Sequence, residues 1–269
     1  MPTKYSLYER SVQTPERHIE MFVDLYRELN AGKYARKLRE DFCGTFRLSC
    51  EWVKRNRRNT AMCLDLDSEP LAYGKRRHRA KLKAEQKKRL LILKQNVISV
   101  TSPRSDLIIA CNFSFCIFKK REILVNYFRH ALRSLSPGGI LILEIAGGPG
   151  MIEPLRERIP IYENGKRKFT YIWHQQKFDP ITHDAQYAIH FEFPSGRKIL
   201  NAFVYEWRLW TIPELCDAMR DAGFDTTHTY WETEHKGRGT GEYVRTPHGD
   251  NAYAWVSYVV GQRAQARSA

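Results

Sequence analysis

Between residues 37 and 148, five short apolar runs alternate with segments patterned as helices, and this alternation limits the chain to few architectures. The runs are KLREDFCG (37–44), TAMCLDLD (60–67), LLILKQNV (90–97), SDLIIACNFSF (105–115) and ILILEIAGG (140–148). In the last four the central residues are apolar on both sides of the pleat, as in strands covered on both faces, while the first carries Arg39, Glu40 and Asp41 into a turn. The separating segments 46–56, 69–89 and 119–135 read as helices. In the last, Ile123, Leu124, Tyr127, Phe128, Ala131 and Leu135 share one face. Strands linked by helices make βαβ units, so the pattern predicts an α/β fold around a parallel sheet.

The flanks extend this core. Thr14, Pro15 and Glu16 mark a helix start, and Ile19, Phe22, Val23 and Tyr26 follow at helical spacing through residue 30. After Gly147–Gly150 the rhythm changes. Three aromatic, alternating segments between 169 and 210 (FTYIWHQQKF, AQYAIHFEF, ILNAFVYEWRLW) predict an antiparallel meander. A helix at 211–222, Gly223 as its cap and a strand at 224–232 come next. A polar loop at 235–250 then leads to a closing strand at 252–262. The 269 residues divide as a cap (1–33), a core (34–148), a β-rich insertion (149–207) and the C-terminal part of the core (208–269), all in one domain.

Composition excludes several classes. No apolar run approaches the roughly 20 residues that span a bilayer, and the N-terminus lacks the apolar stretch of a signal peptide. Six cysteines without a CxxC pair read as reduced thiols of a cytoplasmic protein. The nine histidines form no ligand-like pair with acids, so no metal is expected. The formal charge of +14 asks for an acidic partner, yet it is concentrated: residues 75–94 hold ten Lys/Arg and one acid, leaving +5 for the other 249 residues. That segment is a candidate phosphate-binding face, though it lacks aromatics for base stacking.

The chemistry lies in an ordered set of strand ends. Glu40-Asp41-Phe42-Cys43-Gly44-Thr45 forms a strand-to-helix turn where backbone N–H groups can approach a ligand. Asp65-Leu66-Asp67 ends the second strand, where a carboxylate accepts hydrogen bonds from ribose hydroxyls. Gln95-Asn96-Val97 closes the third, suited to an adenine edge, and Asn112-Phe113 closes the fourth. This series resembles the class I S-adenosylmethionine-dependent methyltransferases over roughly 34–148 and 205–262. The resemblance implies a Rossmann-like seven-stranded sheet with helices on both faces, an N-terminal helical cap and an antiparallel β insertion.

The family's acid–any–Gly–any–Gly–any–Gly motif is matched here by Glu40 and Gly44, while Phe42 and Phe46 occupy the outer glycine positions. The resemblance implies that Glu40, or its neighbour Asp41, contacts the methionine amino end. It implies that Cys43, Gly44 and Thr45 form the backbone approach, and that Asp65, with Leu66 and Asp67, holds ribose. Gln95, Asn96 and Val97 would meet adenine, and Asn112 and Phe113 would lie beside the transferable methyl.

The expected function is in-line methyl transfer from S-adenosylmethionine to N or O of a small-molecule acceptor, leaving S-adenosylhomocysteine. The alternatives are methylation of RNA, DNA or protein guided by 75–94, or non-catalytic binding of an S-adenosyl ligand or RNA. Such a transfer needs positioning more than acid–base groups, so no catalytic residue is singled out. Candidates for acceptor contact are Trp173, Tyr205 and Arg208 on the insertion, and Tyr243 and Arg245 in a candidate lid at 236–249. Tyr5 and Tyr8, ahead of the first helix, are candidates to cover the cofactor.

Overall fold

The computed structural model describes residues 2–235 and 238–266. The five apolar runs become β1 (Lys37–Asp41), β2 (Thr60–Asp65), β3 (Leu90–Lys94), β4 (Ser105–Ala110) and β5 (Leu135–Gly147). They pair in parallel in the order β3-β2-β1-β4-β5. Strand order reverses between β1 and β4, which opens a crevice at their carboxyl ends.

Two helices precede β1: α1 (Lys4–Val12), capped by the Thr3 hydroxyl, and α2 (Pro15–Leu29). Tyr5 and Tyr8 thus lie on a helix, where two apolar turns were too short to show a period. α3 (Arg47–Arg55) joins α2 on one face of the sheet, where Phe22, Phe46 and Trp52 are fully buried. The segment expected as one helix at 69–89 is broken into α4 (Ser68–Arg77), a 3-10 turn (Arg79–Lys81) and α5 (Ala84–Lys87). The break lets Leu82 turn inward to the core between basic residues that remain outside. α6 (Arg121–Ser134) and α7 (Ile212–Ala222) cover the other face. α7 starts with a capping box between Thr211 and Glu214 and ends at Gly223, whose φ of +99° suits a glycine cap.

The insertion is a four-stranded antiparallel sheet: β6 (Leu155–Glu163), β7 (Lys166–Phe178), β8 (Asp184–Glu192) and β9 (Lys198–Arg208). Sequence predicts three of these strands. β6 is an edge strand with hardly a buried residue, so no apolar period betrays it. One face of this sheet packs Phe169, Tyr171, Ile189 and Phe191 against Leu7 of α1.

The chain then returns to the main sheet with β10 (Thr226–His235), β11 (Arg238–Arg245) and β12 (Trp255–Gln262). β12 inserts antiparallel between β5 and β10. The sheet has eight strands, one more than expected, because residues 238–245 of the candidate lid pair with β10 as an edge strand. Residues 236 and 237 of that loop, and 267–269 of the C-terminal tail, lie outside the described residues. Among the described residues no helix is long and apolar enough to cross a membrane.

Candidate active site

A cavity of about 440 Å³ opens over the crevice at the ends of β1, β2 and β4, roofed by α1 and walled by β9. Its floor is the turn from Glu40 to Phe46. Phe42, Gly44 and Phe46 take φ values of +53°, +51° and +47°. All three motif positions therefore hold the left-handed conformation that glycine adopts freely, and two are phenylalanines. A left-handed residue with a side chain costs roughly 1–2 kcal/mol. Burial of the rings offsets this: Phe46 is fully buried, and Phe42 packs against Phe118 and Tyr127. Gly44 itself faces open space, so its backbone is accessible to a ligand.

Three carboxylates line the floor. Glu40 accepts hydrogen bonds from the Ser49 backbone N–H and hydroxyl, which orient it from beneath. Burial lifts its carboxyl from 4.5 to about 7, despite the opposing hydrogen bonds from Ser49. Asp65 accepts from the Gly44 N–H at 2.7 Å and the Asp67 N–H at 2.8 Å, joining the turns after β1 and β2. Burial pushes its carboxyl up as well. Asp67 caps α4 by accepting from the Glu69 N–H at 2.8 Å while also lining the cavity.

Asp41 differs. Its backbone belongs to the floor, but its carboxylate points below, accepting from Arg39 Nε at 2.7 Å and the Tyr127 hydroxyl at 2.9 Å. It is therefore not equivalent to Glu40.

The roof is bolted down from outside. The buried Glu9 of α1 accepts a hydrogen bond from the Thr45 hydroxyl at 2.6 Å and meets His78 Nε2 at 2.6 Å. Lys4 pairs with Glu69 at 3.2 Å across the mouth. From this helix Tyr5 and Tyr8 project inward, packing on Phe203 of β9 with ring centroids 5.8 and 5.1 Å apart.

The end of the cavity beyond Asn112 is aromatic. Tyr8, Phe203, Tyr205 and Trp207 line it, together with Asn112, Ser114 and Ile117. Tyr205 and Trp207 stack with centroids 4.5 Å apart. Burial raises the phenols of Tyr8 and Tyr205 above their ordinary range and keeps both protonated. Asn112 and Phe113 sit at φ +54° and +56°, a tight turn held by the Asn112 N–H donating to Glu144 of β5.

Thus Glu40, Asp41, Cys43, Gly44, Thr45, Asp65, Asp67, Asn112 and Tyr205 converge on one cavity. The other sequence candidates lie elsewhere. Leu66 is exposed to solvent. Gln95, Asn96 and Val97 do not line the cavity: Asn96 caps its own turn at Ile98, and the Val97 carbonyl accepts from Arg39. Phe113 packs edge-on against Trp207, and Trp173 stacks on Tyr187 in the core. Arg208 pairs with Glu214 and lies over Trp210. Tyr243 packs on Tyr258, and Arg245 pairs with Glu28 on the far side of the sheet.

Sequence reasoning placed Trp207 among the insertion's rings that could meet an acceptor, but did not select Phe203, Gln13 or Lys4. A signal existed for Phe203, which shares the strand face of Tyr205 and Trp207 at period two. Among the described residues no group of three His, Cys, Asp or Glu could hold a metal.

No protein-family model matches the sequence, and no match to a curated protein reaches significance. Solved structures do match. One is an S-adenosylmethionine-dependent methyltransferase from Clostridium acetobutylicum, with TM-score 0.68 and 15% identity over 97% of this chain and 98% of that one. An amino pentose methyltransferase from Micromonospora echinaspora, solved with S-adenosylmethionine, gives 0.69 and 16% over 97% and 96%. A sugar N-methyltransferase from Streptoalloteichus gives 0.65 and 18% over 97% and 93%. Similarity at this level over nearly the whole of each molecule is similarity of fold: the chain has the fold of the class I S-adenosylmethionine-dependent methyltransferases.

Proposed function

We propose that the protein is an S-adenosylmethionine-dependent enzyme that methylates an amino group of a small molecule. The residues present fit the cofactor. A buried carboxylate, Glu40, suits an α-ammonium group; Gly44 leaves room for close backbone approach; Asp65 and Asp67 retain acceptor lone pairs for ribose hydroxyls. When bound, the cofactor supplies a sulfonium methyl group already activated for in-line displacement.

The observation that carries the choice of nitrogen is the lining of the acceptor end. Four aromatic rings face it, among the described residues no histidine lines the cavity, and the carboxylates Glu40, Asp65 and Asp67 lie on the floor at the other end, where the cofactor is placed. Its one basic residue, Lys4, is paired with Glu69 at the mouth. Methylating an alcohol requires a base to take the hydroxyl proton. The two phenols here are held protonated and serve only as hydrogen-bonding groups. An amine entering uncharged needs no base to attack, and the positive charge that develops on nitrogen is stabilised by ring faces at about 0.5–2 kcal/mol per contact. Tyr8 and Tyr205 orient the acceptor, Asn112 fixes the turn beside it, and α1 excludes water. The similarity to amino pentose and sugar N-methyltransferases supports an amino sugar as acceptor.

The test is transfer of labelled methyl to matched panels of amines, amino sugars and alcohols, read by mass spectrometry. N-methyl products alone are expected. O-methyl products with none on nitrogen would reverse the assignment.

Two further outcomes check the cofactor contacts. Asp65→Ala should weaken S-adenosylhomocysteine binding by about 1.5–2 kcal/mol, ten- to thirtyfold, because ribose hydroxyls lose a charged acceptor. Unchanged affinity by calorimetry would reject the ribose role.

Glu40 makes affinity depend on pH. Its carboxyl ionises near 7, so the charge that attracts an ammonium is present above that pH and disappears below it. Affinity should fall as pH drops from 8 to 6, and Glu40→Gln should flatten the dependence. Stability moves the other way. The folded state holds the proton to a higher pH than the unfolded chain, so Glu40 costs nothing below about 4.5 and costs progressively more as pH rises to about 7. Glu40→Gln should therefore raise the melting temperature at pH 8 while weakening the ligand. A variant losing both stability and affinity would overturn this account.

A further inference from the structure

The basic segment 75–94 takes no part in the cavity described above, yet part of it converges on a second one. Behind α1, between α3 and α4, lies a polar cavity of about 310 Å³. Arg47 of α3, Arg77 of α4 and Lys81 of the 3-10 turn reach it. Among the described residues none of these three has a carboxylate partner. Arg47 donates to the Glu9 carbonyl at 3.1 Å, and neither Arg77 nor Lys81 makes an ion pair. The cavity's acids are differently placed. Glu9 is bonded to Thr45 and His78, Glu51 is neutralised by Lys54 at 3.2 Å, and Glu16 contributes the remaining charge. With Lys54 matched by Glu51 and Arg10 by Glu163, the cations Arg47, Arg77 and Lys81 still outnumber the acids Glu9 and Glu16 around a concave pocket, and Arg and Lys donors suit phosphoryl oxygens.

The position has a mechanical consequence. α1 is the shared wall: Tyr5 and Tyr8 face the first cavity, while Glu9 faces the second and holds Thr45 of the cofactor turn. Filling the second cavity would lock α1 against α3 and α4, and so close the roof.

We propose that this cavity binds a small molecule carrying a phosphate or diphosphate group, and that its occupation tightens cofactor binding through α1. The anion site stands on its own; the coupling rests on the cofactor reading above.

The test uses the full chain at low ionic strength, with pyrophosphate as probe in calorimetry. One pyrophosphate should bind per chain. The double variant Arg77→Ala with Lys81→Ala should weaken binding about tenfold or more, since each contact is a charge-assisted hydrogen bond. The double variant Arg76→Ala with Lys88→Ala removes the same charge from exposed positions outside the cavity, and should change affinity less than about twofold.

Saturating pyrophosphate should raise S-adenosylhomocysteine affinity about fivefold, with the reciprocal effect on pyrophosphate. Absence of pyrophosphate binding, or equal losses in both double variants, would overturn the site; mixed tRNA binding weakened equally by both pairs would mark a diffuse nucleic-acid face and overturn it too. If pyrophosphate binds but leaves S-adenosylhomocysteine affinity unchanged, the coupling fails. If S-adenosylhomocysteine itself does not bind, the cofactor reading and the coupling fail, while the anion site stands.

Discussion

Arg39→Leu is expected to destabilise the protein by about 3–5 kcal/mol, because it strands a buried carboxylate. Arg39 is fully buried in β1. Its Nε and Nη2 grip both oxygens of Asp41 at 2.7 and 3.2 Å, and its remaining donors reach the Val97 and Ser99 carbonyls and the Thr101 and Ser134 hydroxyls. The side chain therefore ties the segment from Val97 to Thr101 against the strand that leads into the Glu40–Phe46 turn. Burial pushes the Asp41 carboxyl upward, and Arg39 and Tyr127 oppose that push.

Without the guanidinium, Asp41 must fold as a buried lone anion or take up a proton. The variant should consequently regain stability as pH falls from 7 to 5, since its folded state then binds a proton that the unfolded chain does not. Adding Asp41→Leu should recover much of the loss, because a buried pair replaced as a unit costs far less than a broken one. Chemical denaturation at pH 5 and 7 checks both points. A single variant as stable as the parent, or a double variant no better than the single, would refute the account.

This pair also shows where the sequence was legible. Asp65 could be picked out because an acid closing an apolar strand has no packing purpose. Asp41 looked the same, yet its partner stood two residues upstream. At period two Arg39 and Asp41 share one strand face, so opposite charges at that spacing inside an apolar strand already signal a buried pair.

β2, β4 and β5 were readable because burial on both faces leaves little room for polar residues, and β1 by its place before the turn that follows it. β6 and β11 were not, because edge strands exposed to water carry charges at any position. Glu40, Gly44, Asp65 and Asn112 could be proposed from strand ends alone, because topology places those ends together. Trp173, Arg208, Tyr243 and Arg245 could not be sorted that way. An aromatic or basic residue on a strand faces core or cavity according to register, which long-range pairing sets.

Gly74→Ala carries the second large effect, and its sign is not what helix propensity suggests. Gly74 lies inside α4, where alanine normally gains about 1 kcal/mol. Here a Cβ would stand 2.4 Å from the Thr45 carbonyl oxygen and 2.5 Å from the Phe46 ring. Neither can retreat. Thr45 belongs to the turn after β1 and is hydrogen-bonded to Glu9, and Phe46 is fully buried. The missing side chain of Gly74 is thus the space that admits a phenylalanine where the family motif has glycine.

Overpacking of this kind costs about 1–3 kcal/mol, and occasionally more. With a backbone atom among the clashes, a net loss of about 2 kcal/mol is expected after the propensity gain, together with weaker S-adenosylhomocysteine binding as Thr45 shifts. Phe46→Ala alone should cost about 3–5 kcal/mol for the emptied site. In that background the penalty of Gly74→Ala should shrink, because the ring contacts have gone and only the carbonyl contact remains. A double-mutant cycle with coupling of at least about 1 kcal/mol would establish that the two residues accommodate each other. Additive effects would mean that Gly74 serves the Thr45 backbone alone and that Phe46 is held by other neighbours.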